Sequence, residues 1–288
     1  MRRLCFRSGI ATLAILLFAL SPGEVRAQSP DIDIRPEIRR FQEFFLERFP
    51  SVPLEKFNKG PYSLPQSTLR GTTLRFLERL PPFEHALIPA RSEWNRTYNG
   101  ITLGTCMSRY PSASQFPYVL NDRVITVERA ILDCLDLQDR TSPMPGSPEF
   151  NALVGVFREQ ANGEPIQIDV DNPALKYLYA LGRKMFWARR GQYNYSCAGC
   201  HVENAGNSLR GKLISAALGQ TAGFPLYSLK RASQSGFGWI SLHEQYRRCF
   251  IRSGAAPLPV EDEALIALEV YLTANDTGVP LNAPGFHP

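Results

Sequence analysis

The chain is 288 residues long, 44% hydrophobic and 20% charged, with 32 basic residues against 27 acidic ones for a formal net charge of +5. Residues 1–27 hold four of those basic residues and one of the acids, so the remainder carries a surplus of only two. So small a surplus argues against nucleic acid or an anionic membrane surface as a partner.

Residues 1–27 read as a secretory signal peptide, with a basic start at Arg2, Arg3 and Arg7, an apolar run over 10–20 and the small-residue end Val25-Arg26-Ala27. The apolar run is too short to span a bilayer. Cleavage near Gln28 is expected to release a periplasmic protein of about 261 residues, enough for two small domains with cores of their own.

Residues 36–49 place Ile38, Phe41, Phe44, Phe45 and Phe49 at helical spacing. Residues 50–82 are rich in proline and polar side chains, with one short periodic stretch at 69–80. The spacing predicts further helices over 124–137 and 149–160, and Gly163-Glu164-Pro165 then breaks the pattern, which sets an expected domain boundary between 164 and 165. Asn172-Pro173 opens the next helix, with proline at the tolerated first-turn position, and the periodicity runs to Arg190 before Gly191.

Cys197-Ala198-Gly199-Cys200-His201 follows six residues later. C-x-x-C-H attaches a c-type haem: two thiols form thioethers to one porphyrin, and the adjacent histidine becomes the proximal iron ligand. A thioredoxin-like redox pair would need a βαβ context, and a zinc site a second Cys/His pair at ligand spacing; the sequence offers neither. A loop region over 206–238 leads to the segment 242–249, and residues 261–274 close the chain with a single apolar stripe and acids at the helix start. Helix, attachment motif, loop and terminal helix is the order of a small cytochrome c domain, with no strand pattern in competition. The first half repeats that order more faintly and without C-x-x-C-H. The expected fold is therefore mainly α, with two cytochrome c-like domains: residues 28–164 haemless and residues 165–288 carrying one covalent haem c.

Six cysteines become five once Cys5 leaves with the signal. Cys197 and Cys200 belong to haem, and Cys106 with Cys134 can close a disulfide loop worth roughly 3 to 4 kcal/mol. Cys249 is left alone, which is unusual in an oxidising compartment. The iron also needs a sixth ligand, and the methionines, at 1, 107, 144 and 185, all precede the motif. Donors after it are His243, His287 and Cys249. On a helical wheel Leu242, Tyr246 and Cys249 share a face while His243 points about 120° from Cys249. Thiolate ligation is thus the first expectation and histidine the second.

Residues 188–206, ARRGQYNYSCAGCHVENAG, resemble the haem region of SoxA, the c-type cytochrome subunit of the SoxAX complex of periplasmic thiosulfate oxidation. Arg210-Gly211, the stretch GFPLY at 223–227, Leu242-His243, Arg247 and Cys249 follow in that family's order. The resemblance implies an L-cysteine S-thiosulfotransferase that joins thiosulfate to a cysteine of the SoxYZ carrier. It also implies electrons leaving through haem to SoxX and a downstream c-type cytochrome, and a structural disulfide between Cys106 and Cys134. By the same resemblance His201 is the proximal ligand and Cys249 the axial, catalytic cysteine, in some members a persulfide. Arg247 matches the family pattern for substrate contact. Gln245 stands where an arginine is common, and Phe250 where an asparagine usually follows the cysteine. On the wheel Arg248 and Arg252 lie nearer Cys249 than Arg247 does. A non-catalytic electron-transfer cytochrome c and a thiosulfate dehydrogenase forming tetrathionate are the alternatives, although such dehydrogenases generally carry two attachment motifs.

Overall fold

The computed structural model describes residues 33–69, 71–138 and 143–287; the expected signal segment lies outside the described residues. The protein is mainly α. Helix α1 (Arg35–Arg48) opens with a proline in its first turn and buries Ile38 and Phe45. A 3₁₀ segment, Leu54–Ser63, kinks at Gly60. Helix α2 (Gly71–Arg79) falls within the short periodic stretch, whereas α3 (Glu84–Asn95) carries Pro89 inside it and has no uninterrupted helical signature.

The hairpin β1 (Thr97–Tyr98) and β2 (Ile101–Thr102) leads into α4 (Leu103–Met107), and the hairpin β3 (Tyr118–Leu120) and β4 (Arg123–Ile125) leads into α5 (Val127–Leu137). Cys106 on α4 is bonded to Cys134 on α5 with their Cα atoms 5.7 Å apart. Helix α5 starts three residues later than the spacing predicts, because Val124 belongs to β4 and Thr126 caps the helix by accepting from the Arg129 N–H. Ser147 caps α6 (Pro148–Glu159) in the same way through the Phe150 N–H.

Helix α7 (Pro173–Trp187) is capped by Asn172. It ends short of Arg190 because Ala188 turns extended and Arg190 pairs with Tyr195. A hairpin of β5 (Ser208–Leu209) and β6 (Lys212–Leu213) follows the haem motif. Next come β7 (Leu226–Ser228), α8 (Leu229–Ser235), β8 (Trp239–Ile240), α9 (Leu242–Arg252), α10 (Glu263–Asn275) and β9 (Gly285–His287). Strand β7 is the middle of a three-stranded sheet, antiparallel to β8 and parallel to β9. Strands of two or three residues are too short to display an alternating pattern, so the sequence shows none of them.

Helix α10 is the centre of the molecule. A single buried stripe is expected, yet both faces are buried, Ala267, Val270 and Leu272 along with Leu265, Leu268 and Tyr271, because α7, α1 and α9 all pack on it. Gly182 lets α7 cross closely: a Cβ there would overlap the Ala267 carbonyl. Phe41 of α1 meets the Tyr271 ring at 6.1 Å, so the first helix crosses the expected domain boundary to cover an element of the second half. Apolar side chains from both halves join in one buried cluster. No described helix is long and apolar enough to cross a membrane.

Candidate functional site

The segment before the haem motif is fastened to the end of α9. Arg190 and Tyr195 exchange backbone hydrogen bonds, and the N–H groups of Gln192 and Tyr193 donate to the carbonyls of Gly254 and Ser253. Gly191 adopts φ 70° against the Ser253 carbonyl, an approach that any Cβ would block. The Gly199 N–H donates to Ser196 Oγ at 2.9 Å, and the chain then makes a wide π turn over Gly199–Glu203. Arg48 of α1 holds the exit, donating to the carbonyls of Val202, Glu203 and Ala205, each at 3.0 Å.

His201 Nδ1 lies 3.0 Å from the Ser215 carbonyl and 2.6 Å from the Gln220 amide. The Ser215 carbonyl can only accept and the Gln220 amide nitrogen can only donate, so the two contacts call for opposite tautomers; the one in which Nδ1 donates to Ser215 leaves the Nε2 lone pair for a metal. Burial lowers the pKa of this ring, partly offset by the Ser215 hydrogen bond, and Arg252 lowers it further, which favours the neutral, ligating form. The loop that supplies Ser215 and Gln220 is tied to the end of α10, where buried Asp276 accepts from the N–H groups of Gly219 and Thr221 and from the Thr221 hydroxyl. These partners lie 14 and 19 residues from His201, and no local sequence signal marks them.

Among the described residues three cysteines are free, Cys197, Cys200 and Cys249, each half-buried. Burial pushes the Cys249 thiol up, Arg252 pulls it down, Cys200 pushes it up, and Arg248 and the Gln245 side chain pull it down. Burial, with a further push from Cys249, takes Cys197 up to about 12. The fold thus brings together in electrostatic reach two attachment thiols and a third sulfur nearly fifty positions later. Gln245 Nε2 donates to Cys249 Sγ at 3.9 Å, so the residue that departs from the family pattern still meets the sulfur. Arg247 projects about 160° round the helix from Cys249, and its buried Nε has no partner.

Cations gather on the same side. Lys212 of β6 is pulled below the usual lysine range by burial and by Arg252, Lys230 and Arg248. Burial, Arg252 and Arg231 likewise lower Arg248. Among the described residues none of Lys212, Lys230, Arg231, Arg248 or Arg252 forms an ion pair. Such a group of unneutralised charges suits a small anion.

His243 is held elsewhere, between Glu261 and Glu269, and His287 lies in β9 beside Ser228; Cys249 is the downstream donor that faces the motif. Haem c fits these residues. Both attachment thiols are unpaired, a neutral imidazole presents a lone pair, and Arg190, with its charge acting on Cys197 and its Nε buried without a partner, leaves a donor for a haem carboxylate.

No family model matches the chain. It is 32% identical over 253 residues to the L-cysteine S-thiosulfotransferase subunit SoxA of Chlorobaculum thiosulfatiphilum, with 86% of each chain covered, and 31% identical to that of Chlorobaculum tepidum over the same share. The corresponding subunit of Allochromatium vinosum is 28% identical over 282 residues, 96% of each chain. Among solved structures, SoxXA from P. pantotrophus has the same fold, with a TM-score of 0.65 at 22% identity over 75% of this chain and 84% of that one. An attachment motif, a lone cysteine facing it and 32% identity over 86% of the chain have one common account: the chain belongs to the family of L-cysteine S-thiosulfotransferase SoxA subunits.

Proposed function

We propose that this chain, as a SoxA subunit with a SoxX partner, joins thiosulfate oxidatively to a cysteine of a SoxYZ-type carrier in the periplasm. Residues 165–288 would hold one covalent haem c through Cys197 and Cys200, with His201 and Cys249 as the side chains that would bind its iron. Residues 28–164 are a haemless cytochrome c-like domain stiffened by the Cys106–Cys134 bond. The observation that carries this reading is an unpaired thiol, Cys249, within electrostatic reach of the attachment cysteines and flanked by cations without carboxylate partners.

Thiosulfate is a dianion, and charge-assisted hydrogen bonds from Arg248 and Arg252 hold its oxygens, with Gln245 at the sulfur. Arg247, on the other face of α9, enters only as a donor remote from Sγ. The terminal sulfur of thiosulfate bonds to Cys249 Sγ with loss of the thiol proton and two electrons. The carrier thiolate then attacks that sulfur, forming its own sulfur–sulfur bond and releasing Cys249 as thiolate. When bound, the haem supplies a one-electron acceptor that passes electrons to SoxX and on to a downstream c-type cytochrome.

Cys249→Ser is expected to keep its covalent haem and to lose carrier conjugation by about 100-fold or more, as for removal of a nucleophile. Full conjugation activity in that variant overturns the relay. Wild-type protein given thiosulfate and an artificial electron acceptor without carrier should not turn over; sustained turnover there points instead to tetrathionate formation.

A further inference from the structure

His243 is the second residue of α9 and is only 1% exposed. Two carboxylates from outside the helix close on its ring, Glu261 Oε1 at 3.2 Å from Nδ1 and Glu269 Oε2 at 3.1 Å from Nε2. The Glu261 backbone N–H donates to the same Nδ1 at 3.1 Å, so the two carboxylates hold the ring by charge rather than by hydrogen bonds of their own. Glu261 has φ 64°, a left-handed conformation that a non-glycine residue keeps only where its surroundings over-determine it. Here the surroundings include Thr126, whose hydroxyl donates to Glu261 Oε2 at 2.7 Å. Glu128 of α5 is buried within the field of Glu269, Glu261 and His243, and Arg158 of α6 within that of Glu269 and Glu128. Helices α5 and α10 and the turn before α10 thus converge on one imidazole, with Arg158 of α6 acting on their carboxylates.

Nearly two helical turns of α9 separate His243 from Cys249. The Tyr246 ring lies 6.1 Å from the His243 ring at a tilt of 32°, and its charge environment includes Glu269, Cys197 and Cys249. The apolar anchors of α9 are Leu242, Tyr246 and Phe250. Cys249 precedes Phe250 by one residue, about 100° round the helix, so it lies at the margin of that stripe. Apolar contacts are non-directional: a part-turn of α9 keeps much of the stripe covered while swinging Sγ away. A ring buried between two carboxylates from outside the helix, and accepting from the backbone N–H of one of them, does not tolerate such a rotation, because turning it away would leave buried charges uncompensated.

We propose that His243 is a positioning residue for Cys249: clasped by Glu261 and Glu269, it fixes the rotation of α9 against α10 so that Sγ faces the haem-attachment motif. This rests on Cys249 being the sulfur ligand, and it gives a buried ionic cluster a task in orientation rather than in net stability, where buried pairs contribute little.

The test uses the full haem-loaded chain with SoxX and two variants, His243→Gln and Glu269→Gln, read by ferric electron paramagnetic resonance and the sulfur-to-iron charge-transfer band. Wild type should show one dominant thiolate-ligated low-spin species. Each variant should keep its haem yet convert about a tenth or more of the signal to a second ligation state, the scale at which a minor conformer is readily seen. Wild-type spectra in both variants, even with a lowered melting temperature, overturn the proposal and leave the cluster a structural one. Should His243→Gln fail to assemble, Glu269→Gln decides the question, since it keeps the histidine and the Glu261 contact. Absence of sulfur ligation in the wild type sinks the functional reading and this inference together, whereas unchanged variant spectra sink this inference alone.

Discussion

Gln245 is where this chain departs from its family at the point of chemistry. A neutral amide 3.9 Å from Sγ stabilises a thiolate or a bound anion less than a guanidinium does, since hydrogen bonds involving an ionised partner are roughly twice as strong as neutral ones. The compensating charge comes from Arg248 and Arg252, both acting on Cys249. Gln245→Arg should therefore lower KM for thiosulfate by about five-fold, the equivalent of roughly 1 kcal/mol. Arg248→Gln should raise it by a similar factor. Steady-state conjugation assays at fixed carrier concentration check both, and a KM unmoved by either substitution places the anion elsewhere.

The two helices that carry the site respond to different insults. At the crossing of α7 and α10, Gly182→Ala would force a Cβ into the Ala267 carbonyl and the Tyr271 side chain. Overpacking against backbone costs about 3 kcal/mol, so the melting temperature should fall by roughly 6–12 °C, measured by circular dichroism. Around α9 the sensitivity is to alkali. Burial disfavours the charged His243 ring, but Glu261 and Glu269 outweigh it and raise its pKa to about 10. Burial, then Glu269 and Glu261, raise Glu128 to about 8. Both groups hold a proton more tightly folded than unfolded. Their stabilisation is complete below the unfolded values and is lost as pH rises, through about 8 for Glu128 and about 10 for His243. Thermal melts should fall between pH 7 and 10, and less so in His243→Gln. Much of this frame was legible in the chain: Asn172-Pro173 announced the start of α7 through its capping chemistry, helical spacing announced α1, α5 and α6, and arithmetic on the cysteines isolated Cys249. Helix α3 was hidden by Pro89, and the single stripe expected of α10 gave way to burial on both faces because α1 returns across the molecule. The partners of His201, namely Ser215, Gln220 and, through the motif's exit, Arg48, arise from long-range folding that no local pattern encodes.

Taken across the entire surface, the small positive surplus says little, yet its distribution is uneven. Burial and then Arg252, Lys230 and Arg248 depress the proton affinity of Lys212 on β6, and burial and then Arg252 and Arg231 that of Arg248 on α9, with Lys230 and Arg231 on α8, the mark of like charges held together by the fold at a cost. Three separate elements supply them, so the clustering belongs to the tertiary structure rather than to any basic run in the sequence. A field of this kind raises the local concentration of a dianion and accelerates its encounter with the thiol, and it is screened over about 10 Å at 0.1 M salt. kcat/KM for thiosulfate should accordingly fall several-fold between roughly 0.05 and 0.5 M ionic strength. Lys230 and Arg231 lie beyond hydrogen-bond contact with Cys249 and act only through the field. Changing both to glutamine should flatten that salt dependence and lower kcat/KM chiefly at low salt, the two profiles converging as salt rises. A loss of equal size at every ionic strength would instead mean that these side chains touch the substrate or hold the site together.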